Sequence, residues 1–283
     1  MVLLIVAPIA IYETVFVIAP IVQGALMSFQ DIRLGASSGE FVGFAQYERL
    51  VSDPNFFNSL GVTLVFALSV VVFAVGMGLG TALLVNRPFR GRGAVRGLMT
   101  APWAFPEIAT VLVFIWIFNP SFGIINLIAP WVQGAGGWLT SSPLSLVSII
   151  IIATWKNFPF YSIVILAALQ SVPDDLHEAA IVDGANGWQR FRHVTLPAIT
   201  PTLALLALLA FIFSFKQFAL IWLTTGGGPS RSTETLVISI YNTAFKFFDY
   251  SYGAAIGVTC LLVTIVATAL YALVQRRVDR MEG

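Results

Sequence analysis

Residues 59 to 85 read SLGVTLVFALSVVVFAVGMGLGTALLV, a stretch with no charged side chain. As a helix rising 1.5 Å per residue it would be about 40 Å long, more than the ~30 Å hydrocarbon core of a bilayer. A helix this apolar on every side has no face to offer to water. Similar runs occupy about 2 to 27, 95 to 118, 144 to 168, 199 to 222 and 251 to 274. Over the whole chain 58% of residues are hydrophobic and 10% charged, whereas a soluble domain carries roughly a quarter charged residues. The pattern predicts an all-α integral membrane protein of about six transmembrane helices, a single domain over 1–283. The first run is too long for a secretory signal, lacks a basic start and carries Pro8, Glu13 and Pro20. Cys260 is the lone cysteine, so no intrachain disulfide can form, and a net charge of +1 gives no argument for nucleic acid.

Orientation follows from Lys and Arg outside the runs. Arg87, Arg90, Arg92, Arg96, Arg190, Arg192, Arg276, Arg277 and Arg280 follow the second, fourth and sixth runs, while the other connections hold Arg33, Arg49, Arg231 and Lys246. The nine are expected to face the cytoplasm. Both termini then lie inside, including a tail at 275–283, and the connections 28–58, 119–143 and 223–250 lie outside.

No connection is large enough for a catalytic domain, and no G-x-x-x-x-G-K-[ST] phosphate loop is present. His177 and His193 stand apart from other metal-ligating residues, and no Ser-His-Asp set is brought together by this topology, so no catalytic residue and no metal site is expected.

The inner connection 170–198 carries more pattern. Ser171-Val172-Pro173-Asp174-Asp175 is a helix start, with proline early and carboxylates where they complement the helix dipole. A short helix through Asp183 should end at Gly184, which tolerates positive φ. Trp188, Phe191 and Val194 recur at helical spacing in a second stretch that Leu196-Pro197 should stop. Ala179 and Ala180 leave a small-residue surface that another protein could approach closely.

Glu178-Ala179-Ala180, Gly184 four residues on, and Val194-Thr195-Leu196-Pro197 resemble the E-A-A-x3-G-x9-I-x-L-P loop of binding-protein-dependent ABC importer permeases, with valine in place of isoleucine at Val194. Phe41 to Tyr47, Asn119 to Asn126, Trp155 to Phe160 and Leu223 to Pro229 are similar to the MalF/UgpA-like half of the carbohydrate group. The resemblance implies a type I importer permease fold and a coupling helix, with Glu178, Ala179, Ala180, Asp183, Gly184, Leu196 and Pro197 docking against the ATPase. It implies as partners a second, MalG-like permease, an ATPase dimer holding ATP and Mg, and an extracytoplasmic binding protein or lipoprotein, with no cofactor in this chain. It implies alternating-access import of a sugar or sugar-like polyol, a glycerol-phosphate-type substrate being the alternative, across a bacterial or archaeal cytoplasmic membrane. Such permeases commonly carry a cytoplasmic tail before the first span, so the start here is expected to be shortened.

Ionisable residues within apolar runs are costly and mark cavities or partners. Glu107, Lys156 and Lys216 are of this kind. Glu107 and Lys156 either pair with one another or face the substrate. The spacing of Lys156 with Phe160, Asn157 with Tyr161 and Phe213 with Gln217 pairs polar groups with rings one helical turn apart, the chemistry of sugar binding. The translocation path is expected along these residues. Gly226, Gly227, Gly228 and Pro229 form either a flexible turn or a contact for the binding protein. Gly76 and Gly80 make a small-xxx-small pattern expected to serve helix packing. An ion-coupled transporter could use Glu13 and Glu107 but leaves the 170–198 motif unexplained.

Overall fold

A computed structural model describes residues 2–32, 39–131 and 136–282. Arg33 lies outside the described residues. Among the described residues, five helices are long and apolar enough to cross a membrane: Val6–Met27, Pro54–Asn86, Leu144–Gln170, Gly187–Phe215 and Tyr250–Leu273. The third apolar run is not the single helix its composition predicts. It folds as Arg92–Ala104 and Glu107–Ile117, bent by 96°.

The bend has a local cause. Pro106 has no N–H to give the carbonyl of Pro102, and a residue before proline is driven to extended backbone, as Phe105 shows at ψ 141°. The fifth run also departs from expectation. Its helix ends at Phe215, and a separate short helix, Ala219–Thr224, resumes after Lys216 and Gln217.

The chain divides into two compact units, 1–62 with 234–266, and 63–233 with 267–283. In the first unit, the connection after the first span forms a two-residue antiparallel ladder, Gln30–Asp31 with Glu40–Phe41, and the helix Ala45–Ser52. Arg49 pairs with Asp249 at 2.7 Å and lies 4.0 Å over the ring of Tyr252, whose hydroxyl donates to Asp53 at 2.7 Å. The Ile32 amide donates to Ser251 Oγ at 2.9 Å. None of the apolar window of Val6–Met27 is buried within the chain, which leaves that helix to be covered by lipid or another subunit.

The second unit is built on Leu144–Gln170, half of whose apolar window is buried. The segment 76–86 packs most closely on it. A Cβ on Gly78 would come within 2.9 Å of Tyr161 Cβ and 3.1 Å of the Ser162 nitrogen, and Thr81 Oγ1 donates to Ser162 Oγ at 3.0 Å. Nothing lies within 4 Å of a Cβ on Gly76 or Gly80, so Gly78 carries the close approach expected of that pair. The last helix runs unbroken from Tyr250 to Glu282, and the 275–283 segment continues it as far as residue 282.

Candidate functional site

The connection 170–198 folds as a helical hairpin. Asp174–Val182 starts after Pro173 with both aspartates in its first turn. It ends at Gly184, φ +80°, in a Schellman motif: the Gly184 amide donates to Ile181 O at 3.0 Å and the Ala185 amide to Ala180 O at 2.9 Å. Asn186 and Gln189 then form a reciprocal capping box for the next helix. That helix does not stop at Leu196-Pro197 as its sequence predicts. It runs on to Phe215 through a π turn, Phe191–Thr195, because the wider turn displaces the carbonyl that the Pro197 ring would strike. No residue of Asp174–Val182 is buried within the chain, and Glu178, Ala179, Asp183 and Gly184 are all exposed. Val182 is 87% exposed and Trp188 66%. The turn of the hairpin is thus fixed by local hydrogen bonds while most of its surface stays exposed.

The second cluster surrounds the two helix breaks. Lys156 Nζ donates to the carbonyls of Pro102 at 3.2 Å, of Trp103 at 3.1 Å, and of Phe105. The first of these carbonyls is the one Pro106 leaves without an amide. A cation at the end of Arg92–Ala104 both satisfies those oxygens and complements the helix dipole. Glu107 opens the following helix, where a carboxylate is favoured, and accepts a hydrogen bond from the Gln217 amide. The ion pair that the sequence allows between Glu107 and Lys156 is thus replaced by two separate engagements, each made at a broken helix end.

The remaining path residues divide. Trp103 stacks on Phe160, centroids 6.1 Å apart and planes at 26°, beside Lys156. Trp103 is half exposed and is the residue sequence reasoning missed; Pro102 and Pro106 flanking it were the signal of a break. Asn157 turns its amide back to the Ala153 carbonyl at 2.8 Å. Tyr161 is only 2% exposed and packs under Gly78, so it sits in the helix interface and not on an open face. Gln217 lies beyond the helix that holds Phe213, so the one-turn pairing read for them does not form; Lys216 instead places its ammonium 5.1 Å over the Phe213 ring. A groove of about 880 Å³ runs elsewhere, between Val65, Val72 and Gly76 on one helix and Val147, Ile151 and Trp155 on another. Its lining suits hydrocarbon and offers little to a sugar.

Gly226 and Gly227, φ +61° and +96°, form an ordered turn. The Gly226 amide donates to Ile221 O at 3.0 Å, and Thr233 Oγ1 to Gly228 O at 2.8 Å. Gly227 is buried, which leaves Gly226, Gly228 and Pro229 as the accessible part.

Residues 74–280 match the family described as binding-protein-dependent transport system inner membrane component. The sulfoquinovosyl glycerol permease SmoG of Agrobacterium fabrum is 33% identical over 98% of this chain and 90% of its own length. The trehalose/maltose permease MalF of Thermococcus litoralis is 31% identical over 96% and 92%. A bacterial ABC transporter importing the acidic polysaccharide alginate superposes with a TM-score of 0.81 at 25% identity, covering 95% of this chain and 93% of that one. The fold and the exposed hairpin define a membrane-embedded transport subunit and not an enzyme. The chain belongs to the family of inner membrane components of binding-protein-dependent ABC importers.

Proposed function

We propose that this chain is one of two permease subunits carrying a sugar inward by alternating access, with both termini in the cytoplasm and ATP and Mg held by a separate ATPase dimer. The observation that carries the coupling role is the hairpin of Asp174–Val182 and Gly187–Thr195, held by a Schellman motif and a capping box, whose first helix has no buried residue and whose second has only Thr195. ATP-driven closure of the ATPase would move this hairpin as a rigid piece. Because its second helix continues without interruption into Gly187–Phe215, the displacement would pass along that helix to its broken end at Lys216 and Gln217. There, beside the bend that Lys156 holds, the Trp103 and Phe160 rings with Asn157, Glu107 and Gln217 supply the flat apolar faces and hydrogen-bonding groups a sugar requires. The outer turn at Gly226, Gly228 and Pro229 would receive the loaded binding protein, and a MalG-like subunit would complete the cavity.

A second reading concerns charge. Lys216 is exposed at the helix break, which favours an acid-bearing sugar or phosphorylated polyol over a neutral one. Proteoliposomes containing this chain, the second permease and the ATPase, supplied with binding protein, test both readings. Uptake should need ATP and loaded binding protein. Uptake driven by an ion gradient without ATPase would refute the mechanism, and competition between neutral and anionic sugars decides the substrate class.

A further inference from the structure

Arg87, Arg90, Arg92 and Arg96 fall within ten residues, and no Asp or Glu occurs anywhere from 54 to 106. Among the described residues none of the four has a carboxylate within ion-pair distance. Arg92 and Arg96 stand one helical turn apart, a spacing at which like charges repel. Both Nη2 atoms lie 3.2 Å from the neutral amide head of Gln170, Arg96 Nη2 also lies 3.4 Å from the Val85 carbonyl, and the Nε atoms of both have no acceptor. Gln170 therefore gathers two guanidinium groups without neutralising either. Large exposed apolar side chains neighbour the turn in sequence: Leu84 at 69% and Phe89 at 44%. Unpaired cations rimmed by exposed hydrocarbon at the end of membrane-crossing helices match a ligand that is anionic at one end and apolar at the other.

We infer that the turn between the Pro54–Asn86 and Arg92–Ala104 helices is a binding site for the headgroup of an anionic phospholipid, with its acyl chains along Leu84 and Phe89. The ATPase is the less fitting occupant. A water-soluble subunit would have to cover apolar side chains of the membrane-crossing helices themselves. The docking hairpin described above has different chemistry, carrying Asp174, Asp175, Glu178 and Asp183 alongside Arg190 and Arg192. The inference stands on membership of the membrane and not on the transport mechanism, so it can fail without the proposed function failing.

The test is native mass spectrometry of the assembled transporter in detergent, titrated with phosphatidylglycerol and with phosphatidylcholine of the same acyl chains. Wild type should retain phosphatidylglycerol in preference. Each Arg→Gln step at Arg87 and Arg90 should lower phosphatidylglycerol affinity about fivefold while leaving phosphatidylcholine unchanged. These two arginines are exposed, so replacing them should leave folding intact. Arg87→Lys with Arg90→Lys should keep the preference, and inorganic phosphate should not displace the lipid. Unchanged phosphatidylglycerol binding in R87Q/R90Q/R92Q/R96Q overturns the site. So does displacement by inorganic phosphate, which would mark a free-anion site, or loss of the ATPase subunit from the variants at unaltered lipid preference, which would mark a protein-docking face.

Discussion

Gln217 donates a hydrogen bond from its side-chain amide to the carboxylate of Glu107, joining the two places where an apolar run loses its helix. Glu107 opens the helix after the 96° bend, and Gln217 follows the end of Gly187–Phe215. The second helix begins at the exposed hairpin. The contact therefore links the far end of the coupling element to the polar cluster.

Removing that link should impair both stability and uptake. A hydrogen bond to a charged group is worth about 1.5–3 kcal/mol. Gln217→Ala should lower the thermal midpoint of the assembled complex and reduce uptake, whereas Glu107→Gln, which retains an acceptor oxygen, should cost less. A double-mutant cycle should give a coupling energy well above zero. Additive effects would show that the contact carries nothing.

Lys156 should behave as a structural cation. Lys156→Met leaves the Pro102, Trp103 and Phe105 carbonyls without their donor at a bend that cannot supply one, a loss of about 1–3 kcal/mol per orphaned group. The expected phenotype is low assembled yield. Normal yield with lost uptake would move Lys156 from the bend to the substrate.

Gly184→Val isolates backbone conformation from sterics, because nothing lies within 4 Å of a Cβ at that position while φ is +80°. A β-branched residue there costs on the order of 1–2 kcal/mol or more. Membrane insertion should survive while ATPase stimulation by the binding protein falls. Full stimulation in this variant would show that the hairpin is not the coupling element.

The glycines of the second span should separate cleanly. Gly78→Ala forces its Cβ against Tyr161 and the Ser162 backbone and should destabilise by about 1–3 kcal/mol. Gly76→Ala should be neutral or mildly stabilising. Equal thermal midpoints for the two variants would place the close approach elsewhere.

Single cysteines at Ser121 and Gln189 in a Cys260→Ala background should label from opposite sides of the membrane, both positions being exposed. Labelling from one side would break the nine-to-four charge argument and the proposed orientation.

How much of this was legible beforehand depended on the range of the interaction involved. The crossings were readable from runs of apolar residues, since transfer of a helix to lipid depends on composition summed over some twenty residues. The hairpin was readable from Pro173, the paired aspartates and Gly184, since helix starts and left-handed ends are settled within a turn. The stop assigned to Leu196-Pro197 failed because a π turn, Phe191–Thr195, made room for the ring.

The sequence by itself determined that the chain is a multi-span membrane protein with a capped helical hairpin between two of its spans, because hydropathy and capping are local properties. Only the tertiary structure decided the partners of the charged groups. Sequence spacing allowed Glu107 to pair with Lys156; folding gave Glu107 to Gln217, 110 residues away, and Lys156 to carbonyls 51 to 54 residues away. A proline orphans a carbonyl at a known position, but the donor that satisfies it is whichever side chain the packed helices bring within reach, and no local pattern encodes that choice.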